Sequence, residues 1–130
     1  MTEGIKIMEK PVISVITPVF NEEECLPAFY ERVVPIMEKI GLPFEIIAVD
    51  DGSRDKSLEI ISEHCKKDKR LKCVSFSRNF GQQAAFFCGL ENCSGDAAIL
   101  IDADLQDPPE IFPEMIAKWR EGYDVVHGVR

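Results

Sequence analysis

Basic residues are in the minority: 15 Lys+Arg stand against 23 Asp+Glu, a formal charge of −8 over 130 residues. Such a chain lacks the basic surface that broad nonspecific binding to nucleic acid or anionic lipid requires. Long apolar stretches are missing too. Runs such as Ala97 to Ile101 fall far short of the roughly 20 residues that cross a bilayer, and the first residues do not read as a secretory leader. The 5 cysteines (Cys25, Cys65, Cys73, Cys88, Cys93) are odd in number and show no CxxC spacing. They suit neither a disulfide scaffold nor a zinc site, and the four that sit among apolar residues read instead as small buried hydrophobes. His64 and His127 are equally isolated. Repeats and low-complexity tracts are absent, and ordinary hydrophobic (45%) and charged (29%) fractions argue against disorder.

What is present is an alternation of β-branched runs with helical patterns. Val12 to Ile16 reads as a strand stopped by Pro18. Leu26, Phe29, Tyr30, Val33, Met37 and Ile40 then recur at helical spacing. Pro35 should kink or shorten that helix, and Gly41-Leu42-Pro43 closes it. Phe44 to Val49 is a second strand, after which Ser53 is expected to cap a helix carrying Leu58, Ile61 and Cys65. Leu71 to Phe76 is a third strand, and Phe80 to Asn92 an apolar helix with Phe86 and Phe87 in the core. Ala97 to Ile101 is a fourth. Asp107-Pro108-Pro109-Glu110 reads as a capping box for a helix with Phe112, Met115, Ile116 and Trp119 on one side. Tyr123 to Val126 is a fifth strand. The fold class expected is α/β, a Rossmann-like parallel sheet with helices on both faces, formed by residues 11–130 behind a tail of residues 1–10.

In such sheets ligands bind at the carboxyl ends of the strands. Here those ends carry Glu22, Asp50, Asp51, Asp102, Asp104 and Asp107. Two carboxylates ~4 Å apart repel by up to about 4 kcal/mol at an effective dielectric near 20, a cost that a divalent cation removes. Hard oxygen ligands suit Mg²⁺ or Mn²⁺. The Asp-x-Asp-x-Gln spacing, taken as extended, lets Asp102, Asp104 and Gln106 face one ion. A calcium loop opened at Asp102 would need glycine where Asp107 stands and glutamate where Pro113 stands. Neither GxxxxGK[ST] nor GxGxxG occurs.

Pro18-Val19-Phe20-Asn21-Glu22, Val49-Asp50-Asp51-Gly52-Ser53, Ser77-Arg78-Asn79-Phe80-Gly81 and Asp102-Ala103-Asp104-Leu105-Gln106-Asp107-Pro108-Pro109-Glu110 follow one another at successive strand ends. Together they resemble the family 2 glycosyltransferases of GT-A fold, in particular the polyprenyl-phosphate branch of bactoprenol glucosyltransferases and dolichol-phosphate mannose synthases. The resemblance implies a metal-dependent inverting transfer of a hexose from a nucleotide diphosphate sugar, UDP-glucose by the wording of the motifs, to a polyprenyl phosphate. It implies that Pro18, Phe20 and Glu22 line the base and ribose pocket and that Val49 and Asp51 contact the base. Asp102 and Ala103 would contact the nucleotide, Asp104 and Gln106 would ligate Mg²⁺ or Mn²⁺ with Asp102, and Arg78 and Arg130 would approach the phosphates. Asp50 is expected to tie down its turn and Asp107 to cap its helix.

Family members continue past this length with an acceptor half, a catalytic base and membrane helices. The resemblance therefore implies a donor-binding part on the cytoplasmic side of a membrane-anchored enzyme. A sheet edge left open offers a route to self-association. Two other readings stay open. One is a nucleotide-sugar-binding module without catalysis. The other is a HAD-type phosphohydrolase, whose Asp-x-Asp follows the first strand and is succeeded by Thr or Val; here the fourth strand and Gln106 occupy those places.

Overall fold

Strands covered on both faces need no polar alternation, and β2 (Phe44–Asp50) is buried at every position. It lies inside an all-parallel sheet of order β3-β2-β1-β4, with β1 at Ile13–Val19, β3 at Leu71–Ser75 and β4 at Ala97–Leu100. The connections are α1 (Leu26–Ile40), α2 (Ser57–Lys67) and α3 (Gln82–Asn92); α4 (Phe112–Arg120) follows β4 after a 3-10 turn at Pro109–Ile111. The computed structural model describes residues 10–123, so Arg130, His127 and the fifth strand beyond Tyr123 lie outside the described residues.

The two faces of the sheet carry unequal cores. Ile13, Val15 and Val19 of β1 and Ile46 and Ala48 of β2 meet Phe29, Val33 and Met37 of α1, Ile61 of α2 and Ile116 of α4. On the opposite face, among the described residues, Ile47, Val49 and Ala85 form a smaller buried cluster, with Val74, Phe76, Cys88 and Cys93 against it. α3 lies close there because Gly89 has no side chain: a Cβ would stand 2.3 Å from Ile16 Cγ2. This helix covers less than its composition suggests. Phe87, expected in the core, is 67% exposed, and Phe86 is only half-buried. The five cysteines are half-buried and free; burial pushes the Cys73 thiol up to about 12, so it packs rather than reacts. His64 stacks on Tyr30 at 4.3 Å and donates from Nδ1 to the Ile60 carbonyl.

Three expectations about helices and strands change. β1 runs through Pro18 instead of stopping before it. Ile16 accepts from Ile101 N on the β4 side and Val19 accepts from Asp51 N on the β2 side. Pro18 therefore faces the β4 side beyond Leu100, where its missing N–H interrupts no ladder. α1 continues through Pro35, which sits on the exposed face where water can take the carbonyl it leaves. The capping box also fails: Pro108 is the cap position, no side chain caps it, and Glu110 instead pairs with Arg32 of α1.

At the amino end of the sheet, Glu45 of β2 is buried and takes Ser14 Oγ at 2.6 Å, Lys72 Nζ at 2.6 Å and Ser94 N at 2.6 Å. Burial alone would raise its carboxyl; these donors together hold it below the usual range.

Candidate functional site

The loops after β1 and β2 are stapled to each other. Asn21, at φ 53°, donates from its N to Ser53 Oγ (2.9 Å) and accepts Arg54 N at Oδ1 (2.8 Å). Glu22 N donates to Ser57 Oγ (2.8 Å), and Glu23 N to Asp55 Oδ2 (3.2 Å). Ser53 therefore does not cap α2, which begins four positions later behind Lys56 without a side-chain cap. Its hydroxyl is spent on the neighbouring loop, while Asp55 Oδ1 accepts Ser57 N at 2.9 Å. Burial would raise Asp55, but its bonds from Ser57 and Glu23 N hold it low. Asp55 and Ser57 carry no expectation from the sequence, and Asn21 enters it only as a member of the Pro18–Glu22 motif. Their signal was an Asn tolerant of positive φ and an Asp-x-Ser after a Gly-Ser turn.

The two adjacent aspartates separate. Asp51, 3% exposed, accepts Phe80 N at Oδ1 (2.7 Å) and both Gly81 N (3.0 Å) and Asn79 Nδ2 (3.2 Å) at Oδ2. Asp50, 2% exposed, has a buried Oδ1 with no hydrogen-bond partner among the described residues. The expectation for this pair is thus corrected: Asp51 ties the turn down, and the Asp50 side chain does not. The following Gly52 (φ +72°) lies so close to the next loop that a Cβ would stand 2.4 Å from Arg78 C. Arg78 in turn lies 4.6 Å over the Phe80 ring.

Two cavities open at this edge, and Phe20 and Asn79 line both. One, of about 520 Å³, is lined by Pro18, Phe20, Glu22, Asp51, Asp102, Ala103, Asp104 and Gln106, together with Gly81 and Gln82. The other, of about 410 Å³, takes Asp50, Ser53, Arg54, Leu58, Phe76 and Arg78. Eight of the sequence-predicted site residues thus share one space, whereas Arg78 faces the second and Val49 is fully buried under α3.

Asp102 to Gln106 is not extended as the sequence reading assumed. Leu105 N bonds back to the Asp102 carbonyl at 3.2 Å, Leu105 takes φ 58°, and Gln106 N donates to Asp104 Oδ1 at 3.3 Å. The turn nevertheless leaves Asp104 and Gln106 exposed on the cavity. Gln82, at the start of α3, donates from Nε2 to Asp102 Oδ1 at 2.7 Å; the sequence offered no sign of it. Among the described residues no three His, Cys, Asp or Glu side chains cluster closely enough to cage a metal. The convergence of six carboxylates is therefore looser than the sequence suggested. The oxygens present, from Asp102, Asp104 and Gln106, fit an ion of the Mg²⁺ type, which takes one or two carboxylates and completes its shell from phosphates and water.

The sequence profile of Glycosyl transferase family 2 matches residues 14–130. The chain belongs to this family. It is 48% identical over 117 residues to the glycosyltransferase YkcC of Bacillus subtilis, covering 90% of this chain and 36% of that protein. With the bactoprenol glucosyl transferase of Shigella phage SfV it shares 46% over 114 residues, 88% of this chain and 37% of the other. The chain thus spans little more than a third of these relatives. The glucosyl-3-phosphoglycerate synthase of Mycobacterium tuberculosis, solved in complex with UDP, superposes with TM-score 0.66 at 26% identity, over 88% of this chain and 41% of that one. The family and the GT-A fold agree with the sequence reading. Among the described residues no helix is long and apolar enough to cross a membrane.

Proposed function

We propose that this chain is the donor-binding part of a metal-dependent glycosyltransferase that moves a hexose from a nucleotide diphosphate sugar, UDP-glucose in our reading, to a polyprenyl phosphate. The observation that carries the proposal is the 520 Å³ cavity, where Pro18, Phe20, Glu22 and Asp51 from β1 and β2 share one space with Asp102, Ala103, Asp104 and Gln106 from β4. Support for the lipid acceptor comes from the relative whose name states that it acts on bactoprenol.

The base and ribose occupy the Phe20 side, with Asp51 contacting the base and Asp102 and Ala103 the nucleotide. Asp104 and Gln106, with Asp102, hold Mg²⁺ or Mn²⁺. Bound there, the ion neutralises the diphosphate and stabilises it as a leaving group. A diphosphate does not enter a cavity rimmed by Glu22, Asp102 and Asp104 without a cation between the charges. In the whole enzyme a phosphate oxygen of the lipid attacks the anomeric carbon as the bond to the diphosphate breaks, inverting that centre. The sheet meanwhile holds the donor in place for attack. Arg78 reaches the phosphates from the second cavity, and the domain works on the cytoplasmic side of a membrane-anchored protein.

The test is calorimetric titration with UDP-, GDP- and dTDP-sugars, each in Mn²⁺ and in EDTA. Tightest binding of a UDP-sugar, present only with the ion, is the expected result. Equal affinity with and without metal overturns the cation's role, and a GDP-sugar preference overturns the donor.

A further inference from the structure

Most of the acceptor capacity of Asp51 is taken up from within the protein. A carboxylate offers roughly four acceptor positions, and three donors of one loop already occupy Asp51. Oδ2 takes two of them, which leaves the free position on Oδ1 beside Phe80 N. The donors come from three consecutive residues, Asn79, Phe80 and Gly81, about 30 positions further along the chain. Gly52 seals the same junction, because its backbone lies against Arg78 at a distance that no Cβ tolerates. The loop so held carries Arg78 over the Phe80 ring, and Phe80 meets Phe76 edge-on at 5.5 Å.

We propose that Asp51 is a positioning residue as well as a ligand contact: its carboxylate clamps the Arg78–Gly81 loop to the end of β2 and builds the wall between the two cavities before any nucleotide arrives. One acceptor position remains for a donor group of the ligand, so both roles coexist. Through Phe80 the clamp also sets where the Arg78 guanidinium stands. The binding arm of this inference rests on the nucleotide site proposed above, while the clamp itself does not.

Amide exchange read by nuclear magnetic resonance on the ligand-free chain isolates the clamp. In Asp51→Asn an amide group replaces one charged acceptor, and exchange at Phe80 and Gly81 should quicken at least about ten-fold while the β1–β2 ladder keeps its protection. Gly52→Ala leaves the carboxylate intact and drives the loops apart, so it should quicken the same two amides. Calorimetry with UDP and Mn²⁺ then asks whether the loop matters for the ligand. Both variants should bind more weakly, and in Gly52→Ala saturating UDP should restore part of the lost protection. Unchanged exchange at Phe80 and Gly81 in Asp51→Asn overturns the clamp. Faster exchange in Gly52→Ala with unaltered UDP affinity overturns the positioning role. Should the wild-type chain bind no UDP, the nucleotide reading fails by itself, and the exchange data still decide the clamp.

Discussion

The strand ends on the two sides of Phe20 are built differently. On the β1–β2–β3 side, side chains and backbone of separate loops bind one another: Asn21 with Ser53 and Arg54, Glu22 with Ser57, Asp51 with three groups of the Asn79–Gly81 stretch. On the β4 side, the side-chain bonds seen among the described residues include one within the loop, from Gln106 N to Asp104, and one from the exposed Gln82 to Asp102. Asp51 is buried and Asp104 exposed. Two side chains of the same type thus serve opposite ends. One holds the protein to itself, and the other, bonded to Gln106 N of its own loop, stays exposed on the cavity. A wall built in advance lowers the ordering cost of binding, whereas an ion that arrives with its ligand needs oxygens it can reach from solvent.

The largest effect should come from the open side. Asp104→Ala is expected to abolish the dependence of UDP binding on Mn²⁺, a dependence of about ten-fold or more in the wild type given the charges involved. Titrations in Mn²⁺ and in EDTA measure it directly, and a variant that keeps the full metal response would place the ion elsewhere.

Next comes the closed side. Asp51→Asn should weaken nucleotide binding about ten-fold or more, since bonds to a charged acceptor carry roughly 1.5–3 kcal/mol. Asp50→Asn should do less, because no ligand contact is assigned to it. The reverse order in titrations of the two folded variants would exchange their roles.

A third experiment uses the far end of β2 as the control for a carboxylate satisfied from within. The folded Glu45 carboxyl lies below its unfolded range, so its contribution is fully present above the unfolded value near 4.5 and is lost as pH falls through the folded one. Asp55, and Asp68 through its bonds from Arg70 N, Nε and Nη2, are also held low and act in the same sense. Urea unfolding should show stability declining below about pH 4.5, and Glu45→Gln should flatten that decline while costing about 1–3 kcal/mol at neutral pH. An undiminished acid slope in Glu45→Gln would assign the effect to the other carboxylates.

The smallest change is expected from Gln82→Ala, which removes one exposed hydrogen bond to Asp102 and should lower UDP affinity only about two- to ten-fold. A loss as large as that of Asp104→Ala would mean that α3 organises the β4 loop far more than its exposed side chain suggests.

While Pro18, Phe20 and Ala103 of the 520 Å³ cavity were expected only from the family resemblance, apolar runs and turn residues in the chain alone were enough to place the parallel strands and their carboxyl-edge motifs. These are local properties: a β-branched run seeks burial on both faces, and Gly41 after a helical pattern ends it. Where local rules misled, a distant partner had intervened. Ser53 is a good cap by propensity, yet Asn21, 32 positions earlier, claims its hydroxyl. Phe87 is apolar enough for a core, but Ala85 and Gly89 are the residues that α3 turns to the sheet. Pro35 is a breaker by propensity, yet α1 runs on through it at an exposed position where water can reach the freed carbonyl. Composition and order thus determined the α/β class, the acidic edge and the family motifs. Only the tertiary structure decided which of two adjacent aspartates binds the protein and which keeps an oxygen unpartnered. Successive residues at a strand end face opposite sides of the sheet, and the donors that distinguish Asp51 from Asp50 lie about 30 residues away in the chain.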